Sequence, residues 1–355
     1  MKAHKNIIAI MIMLWGMPIL RGVEAIYYDP QLLADETVWQ GHLYFKNGVN
    51  VGNGEASVVT FHTNGVLDGR INFNTSGGTA SGSRIVLEND LILGSTATLT
   101  SPSSAATIES HNASLTLTGS LVLNNKLYVV GDLTINGGGN TLELTDSAGG
   151  FYLLYENSMS STLRLKNMNL VVNAAGVPIQ SHFVNSEANY GTLELENVSI
   201  FIQNGLCRLS TVYLLIRGIV NVYGAKQTFD LYQLQTPSQL HSGSVLHIGP
   251  DVIFSVRRLS SHPPQFFKCA DATSAIWMDN STLRVISPGW QLTNGSLLLD
   301  GKVTLENFTD SANYNENNDV STSFEIGNDG VNEAKVTLLP GAQVEVKGYF
   351  YHNPL

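Results

Sequence analysis

The chain has 355 residues, with 19 Lys and Arg against 29 Asp and Glu and a formal net charge of −10 at pH 7. This negative balance argues against nucleic acid as a partner, because phosphates attract clustered Lys and Arg. Only 14% of the residues are charged, against roughly 25% in an ordinary globular protein, which is typical of an extracellular β-protein and disfavours a cytosolic helical enzyme.

Residues 1–25 have the layout of a secretory signal peptide. Lys2 and Lys5 form a positive n-region, residues 7–20 are almost entirely apolar, and Val23 and Ala25 suit the −3 and −1 positions of a cleavage site. The alternative is an uncleaved N-terminal anchor, although a membrane span needs about 20 apolar residues. Cleavage would leave 16 basic and 28 acidic residues, a formal charge of −12. We expect a secreted, extracellular or cell-surface protein, with the periplasm as a further option and no transmembrane segment in the mature chain.

Residues 26–50 are predicted to cap the fold that follows. Asp29 suits a helix N-cap, Pro30 the first helical position and Gly41 a helix end. A short amphipathic helix would then cover the apolar end of the first repeat unit. The alternative is an irregular, strand-like lead-in.

The clearest repeat is the segment TLRLKNMNLVV (162–172), which recurs thirty positions later as TLELENVSIFI (192–202). Leu163 and Leu165 alternate with charged residues, as in a strand with one apolar face. After Asn167 the next apolar residue on that face, Leu170, comes three positions later rather than two. Because Asn tolerates the left-handed backbone region, this change of parity predicts a corner between two strands.

Further copies place Asn89 (RIVLEND), Asn307 (KVTLEN) and Gly119 (SLTLTGSLVL) in the corner position. The intervals between copies divide into steps of about 26 to 28 residues, and a strand-rich unit of that length cannot bury its apolar side without stacking on a neighbour. We therefore predict an all-β parallel solenoid of roughly a dozen coils over residues 51–348, with a C-terminal tail at 349–355.

The Leu-x-Leu-x-Asn corner, in coils of this size, resembles the single-stranded right-handed parallel β-helix superfamily typified by pectin and pectate lyases. The segment VVGDLTINGGGNTLEL (129–144) is similar to the glycine-rich coils of those folds. The resemblance implies a right-handed parallel β-helix with an internal ladder of Asn side chains along one corner, each linked to the neighbouring coil. By this resemblance the ladder candidates are Asn89, Asn167, Asn197 and Asn307.

Two segments interrupt the repeat and are expected to protrude: VRRLSSHPPQFFKCA (256–270), with the densest basic cluster, and TDSANYNENNDVSTS (309–323), which is polar and acidic. Lyases of this superfamily use a basic residue to abstract a proton beside a uronate carboxylate, commonly with Ca²⁺. The resemblance makes Arg257, Arg258 and His262 the alternative active-site candidates. The Asn-Thr-Asp, Asp-Asp, Gly-His-Gly and Arg-Ile-Lys segments of the related galacturonan hydrolases do not occur in this sequence.

Cys207 and Cys269 are the only cysteines. Two interpretations stay open: a disulfide, which would stabilise the fold by about 4 kcal/mol through closure of a long loop, or two buried free thiols. The sequence has no CxxC or HxxxH spacing of the kind that indicates a zinc site. We predict no metal, no cofactor and no catalytic residue.

These features together predict a non-catalytic, adhesin-like rod with a structural, adhesive or binding role, whose partner is a glycan or another surface protein. The alternative is a carbohydrate-active enzyme, either a polysaccharide lyase or a glycoside hydrolase, that acts on one face of the β-helix. A carboxylate pair in a lateral groove would favour the enzyme, and so would an Arg beside a carboxylate cluster. A plain face of Ser, Thr and Asn would favour the binding protein.

Overall fold

The structure is a computed structural model and its described part is entirely β, with no helix. It describes residues 25–27, 31–33, 38–39, 43–45, 48–54, 58–62, 64–75, 83–100, 106–145, 150–156, 159–173, 176–181, 191–210, 212–233, 238–258, 267–286, 290–308, 323–327 and 334–352. Of its strands, 35 form one continuous sheet and two form a separate antiparallel hairpin, β17 (Tyr155–Glu156) and β18 (Met159–Ser160). No helix in this part of the chain has the length and apolarity of a membrane span.

The large sheet is wound into coils, and corresponding strands of successive coils pair in parallel in three stacks. The chain passes through stack 1, stack 2 and stack 3 in that order and then begins the next coil. Five long strands turn a corner within their length and belong to two stacks. β12 (Ala106–Leu117) and β14 (Lys126–Asn136) join stack 3 to stack 1, whereas β19 (Thr162–Asn173), β21 (Thr192–Ile202) and β23 (Tyr213–Tyr223) join stack 1 to stack 2.

The remaining strands each belong to one stack. Stack 1 contains β1 (Ala25–Tyr27), β4 (Leu43–Phe45), β7 (Gly65–Leu67), β10 (Leu91–Leu93), β25 (Ser238–Leu240), β28 (Phe267–Cys269), β31 (Trp290–Thr293), β34 (Ser323–Gly327) and β37 (Tyr349–His352). Stack 2 contains β2 (Gln31–Leu33), β5 (Gly48–Gly54), β8 (Arg70–Thr75), β11 (Thr98–Thr100), β13 (Leu121–Leu123), β15 (Thr141–Thr145), β26 (Val245–Ile248), β29 (Ala275–Asp279), β32 (Ser296–Asp300) and β35 (Lys335–Leu338). Stack 3 contains β3 (Val38–Trp39), β6 (Val58–Phe61), β9 (Arg84–Leu87), β16 (Gly150–Leu153), β20 (Gly176–Ser181), β22 (Leu206–Ser210), β24 (Thr228–Gln233), β27 (Ile253–Arg258), β30 (Thr282–Ile286), β33 (Lys302–Phe308) and β36 (Gln343–Lys347).

The predicted parallel β-helix is therefore confirmed. Leu163 and Leu165 pair in register with Leu193 and Leu195 of the next coil, and all four side chains are buried. Full burial of one such side chain contributes roughly 1.5–3 kcal/mol. Phenylalanines fill the core in the same way. The Phe229 ring stacks against the Phe254 ring of the following coil at a centroid distance of 5.8 Å. The inward side is thus a continuous apolar column shared by the three stacks.

The corner predicted at Asn167 is also present. Asn167 and Asn197 have positive φ angles of 50° and 52°, and Gly218 occupies the same corner of the next coil at 60°. The Asn197 amide links the coils, because its Nδ2 donates to Asn167 Oδ1 at 3.4 Å and its Oδ1 accepts from the Ile219 N–H at 3.2 Å. A side chain at Gly218 would place its Cβ 2.2 Å from Asn197 Oδ1, so the corner requires glycine there.

The predicted N-terminal capping helix is wrong. Gln31–Leu33 and Val38–Trp39 are strands that pair in parallel with β5 and β6, which agrees with the strand-like lead-in. Pairing satisfies the backbone groups along the edges of β5 and β6, which a helix laid across them would leave open. The predicted helix-terminal residues Asp29, Pro30 and Gly41 lie outside the described residues, as do residues 1–24 of the predicted signal peptide.

The coils vary in length, whereas the sequence predicts a nearly constant step of about 26 to 28 residues. The register joins Ala25 to Leu43 in a short coil near the start of the chain, and Lys302 to Gln343 in a much longer coil near its end. Part of the extra length follows stack 3, after strands β20, β27 and β33. At the C-terminal end, Tyr349–His352 of the predicted tail is strand β37 and pairs with β34.

Candidate functional site

The outward sides of stacks 1 and 3 carry rows of ion pairs between neighbouring coils. Opposite charges that face each other across paired strands stabilise a sheet. In stack 1 these are Arg164–Glu194 at 3.1 Å, Lys166–Glu196 at 2.9 Å and Arg217–Glu194. In stack 3 they are Arg84–Glu109 at 2.7 Å, Arg208–Asp230 at 2.6 Å and Arg284–Glu306 at 2.6 Å. These side chains satisfy one another across neighbouring coils.

The outward side of stack 2 is different. From β11 to β32 the stack 2 parts of its strands contain no Lys or Arg. Four aromatic side chains project there from four successive coils, followed by two carboxylates. We call this group the aromatic face: Phe201, Tyr223, His247, Trp277, Asp279 and Asp300.

Strand alternation explains why these side chains point outward. In β26, Leu246 and Ile248 are buried in the core, so His247 between them faces outward. In β29, Ile276 and Met278 are buried in the same way, which leaves Trp277 on the outside. The two preceding coils hold smaller polar residues in register with His247, namely Asn221 and Ser199.

The four rings form a continuous series. The Phe201 and Tyr223 rings stack with centroids 5.3 Å apart, and Tyr223 meets the His247 ring edge-on at 6.1 Å. The His247 and Trp277 rings lie 4.5 Å apart at 34°. Four coils at a spacing of ~4.8 Å place the series over about 14 Å along the helix axis. A Cβ at Gly249 would lie 2.8 Å from Tyr223 Cδ1, so glycine there gives the Tyr223 ring its space.

Polar groups surround the middle of the series. His247 Nδ1 donates to Asn221 Oδ1 at 3.0 Å, and Nε2 lies 3.7 Å from Asp279 Oδ2. Burial lowers the pKa of the His247 imidazole below its usual range, although the charges of Asp279 and Asp300 oppose this shift. The ring is therefore neutral at pH 7. His247 Nε2 and Trp277 Nε1 are both buried, and neither has a hydrogen-bond partner among the described residues.

The two carboxylates occupy register-paired positions of adjacent coils. Asp279 Oδ1 accepts a hydrogen bond from Asn280 Nδ2 at 2.7 Å. Within the described part of the chain, no side chain donates a hydrogen bond to the Asp300 carboxylate. The aromatic face thus combines flat apolar surfaces with hydrogen-bond acceptors and carries negative charge only.

The members of the predicted Asn ladder lie at different places in the fold. Asn167 and Asn197 stack at the corner between stacks 1 and 2 and lie at the surface rather than inside. Asn89 follows β9 at the corner between stacks 3 and 1, where its Nδ2 donates to the His62 carbonyl of the preceding coil. Asn307 lies in β33 of stack 3. The structure therefore does not bring the four candidates together.

The alternative active-site candidates lie away from the aromatic face. Arg257 and Arg258 end strand β27 of stack 3, in register with Tyr232 and Gln233. His262 lies outside the described residues. Stack 3 is the part of each coil that follows stack 2, so these arginines are on a different side of the β-helix.

Cys207 and Cys269 are two separate, buried free thiols, one in stack 3 and one in stack 1. Of the two interpretations left open by the sequence, the structure has the free thiols. Burial raises the pKa of each thiol to about 12. Both side chains belong to the apolar column inside the coils.

The described residues contain no group of three or more His, Cys, Asp or Glu placed to hold a metal ion. Comparison with known proteins found no matching family model, no similar curated protein and no similar solved structure. The parallel β-helix therefore rests on the strand register of this chain alone, and its assignment to the pectin-lyase-like superfamily stays a prediction.

Proposed function

We propose that the protein is a non-catalytic β-helix that binds a glycan on its aromatic face. The observation that supports this proposal is the continuous series of four rings on the outward side of stack 2. Aromatic rings offer flat apolar surfaces on which the C–H faces of sugar rings pack. The carboxylates of Asp279 and Asp300 supply acceptors for sugar hydroxyl groups.

A secreted or cell-surface location accompanies this proposal. It is supported by the signal-like N-terminal sequence, by the low charged fraction of 14% and by the surface of Ser, Thr and Asn. The parallel stacks and the Asn corner support the further proposal that the chain is a pectin-lyase-like protein of adhesin type. In that role a rod would display the aromatic face to glycans outside the cell.

One observation favours a second function, glycoside hydrolysis. Asp279 and Asp300 are register partners on adjacent strands, and such partners lie ~4.8 Å apart in the backbone. Retaining glycosidases hold their two carboxyl groups about 5–5.5 Å apart. The pair lies next to Trp277, where a bound sugar would be in reach.

The experiment is a retention assay of the chain on immobilised neutral and acidic polysaccharides, with release of reducing ends and of unsaturated uronides followed in parallel. Trp277→Ala should weaken binding by about tenfold, since an aromatic contact contributes about 0.5–1.5 kcal/mol and 1.4 kcal/mol is tenfold. Tyr128→Ala is the matched control, because Tyr128 packs on Tyr152 at 5.4 Å on the outward side of stack 3.

Retention that Trp277→Ala and Tyr128→Ala reduce equally would contradict the proposed site. Absence of retention on every polysaccharide would contradict glycan binding altogether. Reducing ends released by the wild type and lost in Asp279→Asn and Asp300→Asn would establish the hydrolase instead.

A further inference from the structure

The charge of the aromatic face restricts the class of glycan that it can accept. The stack 2 parts of the strands from β11 to β32 have no Lys or Arg, and their charged residues are Glu143, Asp279 and Asp300. Arg164, Arg208 and Arg284 of the neighbouring strands belong to stacks 1 and 3 and are paired with carboxylates. Lys226 lies where the chain turns from stack 2 into stack 3, and Lys302 begins β33 of stack 3. Lys335 belongs to β35, the stack 2 strand that follows β32, where it is the register partner of Ser296. A negative group bound on the aromatic face would therefore meet the like charge of Asp279 and Asp300, and no cation from the stack 2 positions of β11 to β32.

The two aspartates lie where a ligand would be closest. Asp279 follows Trp277 on the same strand by two positions and so projects from the same side. Asp300 lies beside it in the next coil, and no described side chain donates to its carboxylate. A uronate or sulfate at this place would carry an uncompensated repulsion, whereas a sugar hydroxyl would donate a charge-assisted hydrogen bond to the same oxygen atoms.

The arrangement of the rings also gives the direction of the ligand. Phe201, Tyr223, His247 and Trp277 come from β21, β23, β26 and β29, which follow one another along the helix axis. Neighbouring centroids lie between 4.5 and 6.1 Å apart. A chain laid along this series contacts every ring, whereas a chain laid across it contacts one or two.

Resting on the proposed function, we infer that the aromatic face binds a neutral oligosaccharide chain that runs along the helix axis, and that it discriminates against uronate and sulfated glycans. The rings pack against successive sugars, and the two carboxylates accept hydrogen bonds from their hydroxyl groups. This chemistry is the opposite of that expected for a polygalacturonate-binding surface, which requires free cations.

The test is calorimetric titration of the chain with hexasaccharides of β-1,4-linked glucose, mannose and xylose, and with hexagalacturonate. We expect at least one neutral hexasaccharide to bind at least tenfold more tightly than hexagalacturonate. Its affinity should fall by about tenfold or more for the disaccharide and be lost for the monosaccharide, because fewer rings are covered. Asp300→Lys should reduce the ratio of the affinity for the neutral hexasaccharide to the affinity for hexagalacturonate at least threefold. Glu345→Lys is the matched control, since it makes the same change in net charge at an exposed position of stack 3 and should leave the ratio unchanged.

The outcomes separate the two proposals. Hexagalacturonate binding as tight as any neutral ligand, and lost in Trp277→Ala, would keep the glycan site but overturn the neutral class. Equal affinities for monosaccharide and hexasaccharide would overturn the axial arrangement. If none of the hexasaccharides binds, the proposed function fails together with this inference.

Discussion

Stacks 2 and 3 have the same backbone and the same kind of inward side chain, yet their outward sides differ in chemistry. On stack 3 the Arg208–Asp230 and Arg284–Glu306 pairs neutralise one another across neighbouring strands. On stack 2 the corresponding coils present Tyr223, His247 and Trp277, with no Lys or Arg on the stack 2 parts of their strands. In a β-helix the inward positions therefore specify the fold, while the outward positions of each stack are free to differ.

This difference separates residues that hold the coils together from residues that remain available to a ligand. Ion pairs across a sheet are satisfied within the protein, so they add to stability and leave little for a partner. The aromatic rings cover one another only in part, since the Phe201 side chain is 37% exposed. A partly exposed aromatic series on one side of the β-helix is the pattern expected of a binding surface.

The largest expected effect comes from changing a buried apolar side chain, of the kind that lines the inward side of all three stacks. Leu195→Asp should prevent folding, because a buried unpaired charge costs several kcal/mol and a domain has only about 5–15 kcal/mol of stability. Leu195 is 1% exposed. Circular dichroism and thermal unfolding provide the measurement, with the outward Ser199→Asp on the same strand as the control. Unchanged melting of Leu195→Asp would show that the inward assignment is wrong.

The next effect distinguishes a buried ion pair from an exposed one. The Asp230 carboxylate is fully buried and pairs with Arg208, so Arg208→Met should cost about 3 kcal/mol by leaving that charge without its guanidinium. Lys166→Met removes an ion pair whose two side chains are both partly exposed, and it should cost at most about 1 kcal/mol. Urea unfolding of both variants measures the two costs. Equal costs would contradict the distinction between a buried ion pair and an exposed one.

A smaller effect on stack 2 depends on pH. The pKa of His247 is lowered in the folded state by burial, so the unfolded chain binds a proton more readily as the pH falls below about 6.5. Stability attributable to His247 is therefore complete above that pH and is lost as the pH falls through the folded pKa. Unfolding of His247→Gln between pH 8 and pH 5 should show a shallower loss than that of the wild type. Identical pH profiles would mean that His247 is not held neutral by its surroundings.

The smallest effect is chemical rather than energetic. Because burial raises the pKa of Cys207 and Cys269 to about 12, neither thiol of the native chain should react with a disulfide reagent at pH 8. Both should react after unfolding in guanidinium chloride, and reducing agent should leave the melting temperature unchanged. Rapid reaction of either thiol in the native chain would place that cysteine outside the core.

The fold was predictable because its signal is local and repeated. The interval of thirty between Leu165 and Leu195 is the register of two neighbouring strands, and the change of parity at Asn167 marks a corner with positive φ. The same motif does not distinguish one corner from another, which is why Asn89 was grouped with Asn167 although it lies at a different corner. The N-terminal helix is predicted from capping residues alone. The segment forms strands instead, because it pairs with the open strand edges of the next coil, and this pairing is a tertiary feature that the local sequence does not show.

The aromatic face was not predicted, because its members are far apart in sequence at unequal intervals. Ser199, Asn221, His247 and Trp277 occupy one outward row, yet the spacing along the chain grows at each step from one of them to the next. A fixed repeat length cannot align them. The available signal was an aromatic residue between two core residues, in the segments VLHIG and AIWMD, at a position where the preceding coils have Asn or Ser.

The variation in coil length has a further consequence for the spacing of side chains along the helix axis. The coil from Lys302 to Gln343 contains far more of the chain than the coil from Ala25 to Leu43, but hydrogen bonding keeps adjacent strands ~4.8 Å apart whatever the connection. The distance along the rod between two strands of one stack therefore depends on the number of coils between them, and the number of residues in each coil does not affect it. Insertions at the corners therefore change which side chains the surface presents, and they leave the distance between neighbouring coils unchanged.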